Sequence, residues 1–279
     1  MSISRRKFLN LTVKTVFIAG AGSLWDPVTA GDFLLPSKNK IALRFAIASD
    51  GHYGQDKTDF DLHHDNMLNW LNAEKKSRGL DFSVINGDLF HNDPKFLPQV
   101  KSKWDRLTMP YYVSRGNHDR VSDEEWNRVW NIPVHHSFEK NGIAFLILNT
   151  ANEQGDYICP NLEWTKQKLN EVADKKHLFI FMHITPFKWT KGGIECPDLT
   201  TMFAKQKNLR AIFHGHDHDQ DGVKTSDEKS YFFDSHIAGD WGTEYRGYRI
   251  VEVMKDGKIL IYQMDASHSN KINSNSIFS

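Results

Sequence analysis

Five short apolar runs in this sequence each break off into a cluster of Asp, Asn, Gly or His. "IALRFAIA" leads into Ser49-Asp50-Gly51-His52, "LDFSVI" into Asn86-Gly87-Asp88, and "MPYYVS" into Arg115-Gly116-Asn117-His118-Asp119. "HLFIFM" leads into His183, and "LRAIF" into His214-Gly215-His216-Asp217-His218. Runs of this length, rich in β-branched and aromatic residues, are the pattern of buried strands. Helical patterns lie between them. Leu62 to Lys76 carries Met67, Leu68 and Leu71 and stops at Gly79, Ser122 with Glu125 makes a capping box, and Asn161 opens a segment with Leu162, Trp164 and Leu169. Strand and helix in alternation build a largely parallel sheet covered by helices, and ligands of such sheets bind beyond the carboxyl ends of the strands. All five clusters fall there, so a single site accounts for them.

The last cluster is the most specific. His214, His216 and His218 alternate, with Asp217 and Asp219 beside them. Alternate residues of an extended segment point the same way, and imidazole is the commonest metal-binding side chain.

Taken in order, Asp-x-His, Gly-Asp, Gly-Asn-His-Asp, a lone His and Gly-His-x-His resemble the calcineurin-like metallophosphoesterase superfamily, from Asp50 to His218. The resemblance implies a four-layer α/β/β/α fold, two mixed sheets packed face to face and flanked by helices. It also implies two metal ions, the first on Asp50, His52 and His218, the second on Asn117, His183 and His216, with Asp88 bridging both. Mixed imidazole and oxygen donors suit divalent manganese, zinc or iron, whereas magnesium and calcium prefer all-oxygen shells. His118 is expected at the phosphate or leaving group, its ring oriented by Asp119.

The reaction implied is hydrolysis of a small-molecule phosphate ester by a hydroxide held between the ions, with His118 assisting the leaving group. Purple acid phosphatases place a tyrosine three residues after the bridging aspartate and lack the first-block histidine; here His91 stands at that position and His52 is present. The pattern is therefore more similar to small bacterial phosphodiesterases of the cyclic-nucleotide and glycerophosphodiester type, which favours a phosphodiester slightly. A phosphomonoesterase, and a non-catalytic metal- or ligand-binding protein retaining the fold, are the alternatives.

Lys plus Arg equals Asp plus Glu at 35 each, which argues against a broad nucleic-acid footprint, and no nucleic-acid partner is expected. Residues 1–30 resemble a twin-arginine signal: Arg5 and Arg6 precede a modest apolar stretch interrupted by Lys14, and Val28 and Ala30 have cleavage-site spacing. The stretch is too short and too interrupted for a stable membrane anchor. The expectation is one catalytic domain over 31–279, passed by the twin-arginine export machinery to the periplasm or outside the cell.

An oxidising compartment permits a disulfide between Cys159 and Cys196, with two buried thiols as the alternative. "AFLILNT" is a further strand, while "SYFFDSH", "GYRIVEVM" and "KILIYQMD" predict an antiparallel meander, and the tail from Ser267 is expected to fray. His214 is expected to support the site or the fold, and His63-His64 and His135-His136 to lie at the surface or cap helices. Arg115 would contact phosphate or pair with a carboxylate. Most tryptophans are assigned to the core, with Trp189 and Trp241 in loops that could border the site.

Overall fold

The structure, a computed structural model, describes residues 38–266 and 270–277; the expected twin-arginine segment lies outside the described residues. Along β1 (Ile41–Ala48) the side chains alternate between two apolar clusters, Leu43, Phe45 and Ile47 entering one, Ala46 and Ala48 the other. A strand covered on both faces reads as a continuous hydrophobic run, which is why these segments lack polar alternation.

β1 belongs to a six-stranded sheet with β2 (Phe82–Asn86), β3 (Tyr111–Ser114), β10 (Gly247–Met254), β11 (Ile259–Asp265) and β12 (Asn270–Ile277). Its order is β12-β11-β10-β1-β2-β3, with β1, β2 and β3 parallel and the other pairs antiparallel. The second sheet is formed by β4 (His136–Lys140), β5 (Ile143–Leu148), β6 (Leu178–Met182), β7 (Leu209–His214), β8 (Val223–Ser226) and β9 (Lys229–Phe233). Its order is β4-β5-β6-β7-β9-β8, and β5, β6, β7 and β9 run parallel.

Between the sheets, Phe45 and Phe82 meet Phe145, Phe179, Phe181 and Phe213 in one aromatic cluster. Outside the first sheet lie α1 (Phe60–Ser77), α2 (Leu97–Trp104) and α3 (Asp123–Trp130), which bury Leu68, Leu71, Trp104 and Trp126. Outside the second lie α4 (Leu162–Glu171) and α5 (Pro197–Lys205), with Leu169, Leu199 and Phe203 inward. The four-layer α/β/β/α arrangement is thus present. The helix starts follow their caps, Ser122 accepting from Glu125 N and Asn161 from Trp164 N.

Two elements differ from expectation. "SYFFDSH" does not join the meander: β9 pairs parallel with β7 in the second sheet, and residues 234–246 carry the chain across to β10. The tail does not fray over 270–277, because β12 hydrogen-bonds to β11 and closes the first sheet. The crossover is braced by a buried ion pair, Arg249 on β10 with Asp234 after β9, and Arg249 also donates to Phe233 O at 2.6 Å. Burial, only partly opposed by Arg249, pushes the Asp234 carboxyl up to about 7.

His64 and His136 are likewise not surface residues. His64 is fully buried against Tyr53 and Trp104, with Nδ1 donating to Phe60 O, and His136 is buried at the start of β4. His214 holds β7 to β6 through Nδ1 and Met182 O at 3.0 Å, a structural contact. Among the described residues no helix is long and apolar enough to cross a membrane.

Candidate metal centre

The carboxyl ends of β1, β2 and β3 meet those of β6 and β7, and all seven expected ligands lie there, buried or nearly so. Backbone and side-chain bonds lock the loops together. His52 N donates to Asp88 O at 2.8 Å, Gly215 N to His183 O at 3.1 Å, and Asn86 Nδ2 crosses between the sheets to Phe213 O at 3.1 Å. Asp50, His52, Asp88 and His216 all have positive φ, from 42° to 68°, so the chain bends sharply at the donors themselves. Gly116 is fixed by contact, since a Cβ there would overlap the Asp88 carboxylate.

The donor atoms form two adjoining groups, Asp50 with His52 and His218, and Asp88 with His183 and His216, the atoms of each group within 4.8 Å of one another. The two groups touch: His52 Nε2 is 3.6 Å from Asp88 Oδ2, and His183 Nε2 is 3.7 Å from Asp50 Oδ1. In His183 and His218, Nδ1 donates to a backbone carbonyl, Asn86 O at 2.7 Å and Trp241 O at 3.1 Å, which leaves Nε2 facing the carboxylates. Such outer hydrogen bonds fix the tautomer of a metal-binding histidine.

These donors fit divalent cations. Asn117 Oδ1 is buried without a hydrogen-bond partner, and His183 Nε2 faces Asp88 Oδ2 at 3.1 Å. His52 Nε2 and His218 Nε2 are 3.0 Å apart, two nitrogens that can share a proton or face a cation but cannot both accept.

Electrostatics make the same demand. Burial alone would raise the Asp50 and Asp88 carboxyls, yet the facing histidines hold both well below the usual range. In return the two carboxylates overcome the burial of His183 and push it up to about 10, so without cations the site holds protons as counter-charge. Burial pushes His216 down to about 4.

His118 stands beside this centre. Its backbone N donates to Asp88 Oδ1 at 2.7 Å, and its ring lies 4.8 Å from that of His52. Asp119 does not orient it: the two Asp119 oxygens accept from Phe90 N and Gly116 N at 3.0 and 2.8 Å, bracing the loops from below. Asn92 takes that place, Oδ1 lying 3.0 Å from His118 Nδ1. Burial and the Asp88 charge push the Asp119 carboxyl up to about 8.

His91 stacks on His118 with 4.6 Å between ring centroids and contacts His52 Nδ1 through its own Nδ1 at 3.0 Å, which makes His52, His91 and His118 a third donor cluster. Neither Asn92 nor His91 belongs to the expected ligand set. The only local signal for His91 is its position three residues after Asp88.

Other expectations resolve at the margins. Arg115 is turned away from the donors, bonded to Asp123 Oδ1 at 2.7 Å and to Ala151 O at 2.9 Å. Trp189 packs on Phe187 and Tyr231, whereas Trp241 stacks on His218. Cys159 and Cys196 form a disulfide, Cα to Cα 5.8 Å.

Residues 43–220 match the family model of the calcineurin-like phosphoesterases. A probable cyclic nucleotide phosphodiesterase of Fibrobacter succinogenes is 25% identical, over 69% of this chain and 79% of that protein. The fold is similar to a dimetal phosphatase from Danio rerio, with TM-score 0.69 and 11% identity over 85% of this chain and 99% of that one. It is also similar to a purple acid phosphatase from yellow lupin, with TM-score 0.59 and 15% identity over 85% of this chain and 53% of that one.

Proposed function

Because the chain belongs to the calcineurin-like phosphoesterase family and is a metal-dependent phosphoric ester hydrolase, we propose that it cleaves a phosphodiester at a centre of two divalent transition-metal ions. Asp50, His52 and His218 would hold one ion, Asn117, His183 and His216 the other, and Asp88 both. The observation that carries the reading is the convergence of these donors from both sheets, with Asn117 Oδ1 buried and lacking a hydrogen bond of its own. When bound, a pair of such ions polarises phosphoryl oxygens and acidifies a water.

The protein's own contribution lies with His118. The Asn92 carbonyl oxygen can only accept, so His118 Nδ1 carries a proton and Nε2 is the atom left to serve the leaving oxygen. His91, stacked along the ring, limits its rotation. The likeness to the Fibrobacter protein and the presence of His91 where a tyrosine would serve ferric iron both favour the diester over the monoester.

The test is turnover by chelated protein reloaded with manganese. The reading expects a higher kcat/KM for diesters than for the corresponding monoesters, and the reverse order would make the protein a phosphomonoesterase.

Export completes the proposal. Arg5 and Arg6 motivate the twin-arginine route, and a disulfide between Cys159 and Cys196 suits an oxidising destination. Replacing both arginines by lysine should leave unprocessed protein inside the cell; normal export of that variant would refute the route.

A further inference from the structure

Trp241 lies on the crossover between the sheets and is 51% exposed, whereas Trp104 and Trp126 are fully buried. The loop around it is firmly held. His218 Nδ1 donates to Trp241 O at 3.1 Å, Thr243 N to His218 O at 2.9 Å, and Arg246 Nη2 to Gly239 O at 3.1 Å. The indole stacks on the His218 ring, 4.4 Å between centroids and 3° between planes. Its outer face is thus a flat apolar surface set in water beside a ligand of the first ion.

Beside the second ion the arrangement recurs with different geometry. Tyr157, 43% exposed, stands edge-on to His216 at 4.9 Å. Its loop is also braced, since Cys159 two residues on is joined to Cys196. Two rigid loops therefore each present an exposed aromatic ring against a different donor group. Aromatic rings bury large areas in folded proteins, and these two lie open where a substrate bound at the donors would pass.

We propose that Trp241 is a specificity-determining residue that stacks on a planar, π-rich group of the substrate, a nucleobase, with Tyr157, beside the other donor group, as a second aromatic contact. The proposal rests on the diesterase reading and adds a substrate class to it. An aliphatic alcohol would cover little of the indole face, whereas any base presents a ring of matching size and polarisability.

The experiment uses the full manganese-loaded chain and its Trp241→Ala and Trp241→Phe variants. Turnover is measured on 3′,5′-cyclic AMP and on glycerophosphoethanolamine, a diester without a ring, and AMP and inorganic phosphate binding are measured by calorimetry. Trp241→Ala should lower the cyclic AMP to glycerophosphoethanolamine ratio of kcat/KM about ten-fold, mainly through KM, and weaken AMP about as much while leaving phosphate within two-fold. Trp241→Phe should keep most of the preference. Equal losses on both diesters and on phosphate would mean that the indole merely supports His218, and an unchanged ratio would also overturn the proposal. If neither diester is turned over but AMP still binds through Trp241, the diesterase reading fails and the stacking site stands.

Discussion

His118 Nδ1 lies 3.0 Å from Asn92 Oδ1, so a neutral amide from the loop after β2 holds the ring that faces the donor cluster. An amide fixes orientation without adding charge. Asn92→Ala should therefore reduce kcat for alkyl esters by about 10- to 100-fold and for nitrophenyl esters by less, because a good leaving group needs little protonation. Asn92→Asp should keep the orientation, stabilise the imidazolium, and move the alkaline limb of the rate profile to higher pH. Equal losses on both ester classes for Asn92→Ala would remove the proton-transfer role.

Asp88→Asn preserves the size of the side chain and an oxygen for His118 N, now 2.7 Å from Asp88 Oδ1, but removes the charge between the two donor groups. The expected result is less than the full metal complement by elemental analysis and a loss of about 100-fold or more in kcat. Two retained ions with near-normal turnover would show that Asp88 does not bridge.

In the metal-free protein Asp88 and Asp50 overcome burial and push His183 up to about 10, whereas a metal-bound imidazole must be neutral. Binding at pH 8 should therefore release about one proton from His183, visible in calorimetry as a heat that depends on the buffer, and affinity should rise with pH until about 10. The linkage sign for folding is opposite. A raised folded-state pKa stabilises the metal-free protein fully below the ordinary histidine value of about 6.5, and this contribution fades as pH climbs toward 10. A His183→Ala variant should lack the proton release.

The disulfide closes a separation of 37 residues, and the chain-entropy model gives it about 3 to 4 kcal/mol. Denatured, unreduced protein should show no free thiol, and Cys159→Ser should lower the melting temperature and alter KM more than metal content, since Tyr157 sits two residues away. A larger effect on metal content than on KM would place the loop's influence at the ions instead.

What was legible in the sequence was whatever is written locally. The strands that lead into donors are largely apolar because both their faces are covered, and the donors come within the next few residues, as Asp50 after β1 and His183 after β6. Asn92 was not legible, because its partner His118 is 26 residues away and nothing around it marks the contact. Asp119 differs for the complementary reason: adjacency to His118 suggests a contact, but the chain turns so that its oxygens meet Phe90 N and Gly116 N. β12 is not legible because "NKINSNSI" is largely polar and is held by its ladder to β11. The sheet to which β9 belongs is not legible, because apolar pattern identifies a strand but not its neighbour.

The left-handed backbone at Asp50, His52, Asp88 and His216 also bears on how this protein can change over generations. Such conformations cost of order 1–3 kcal/mol each in a side-chain-bearing residue, and glycine would adopt them freely. At these four positions the residue that best suits the backbone is therefore not the one that can bind a cation. In a protein under no demand for turnover, glycine would lift that backbone cost at the site itself.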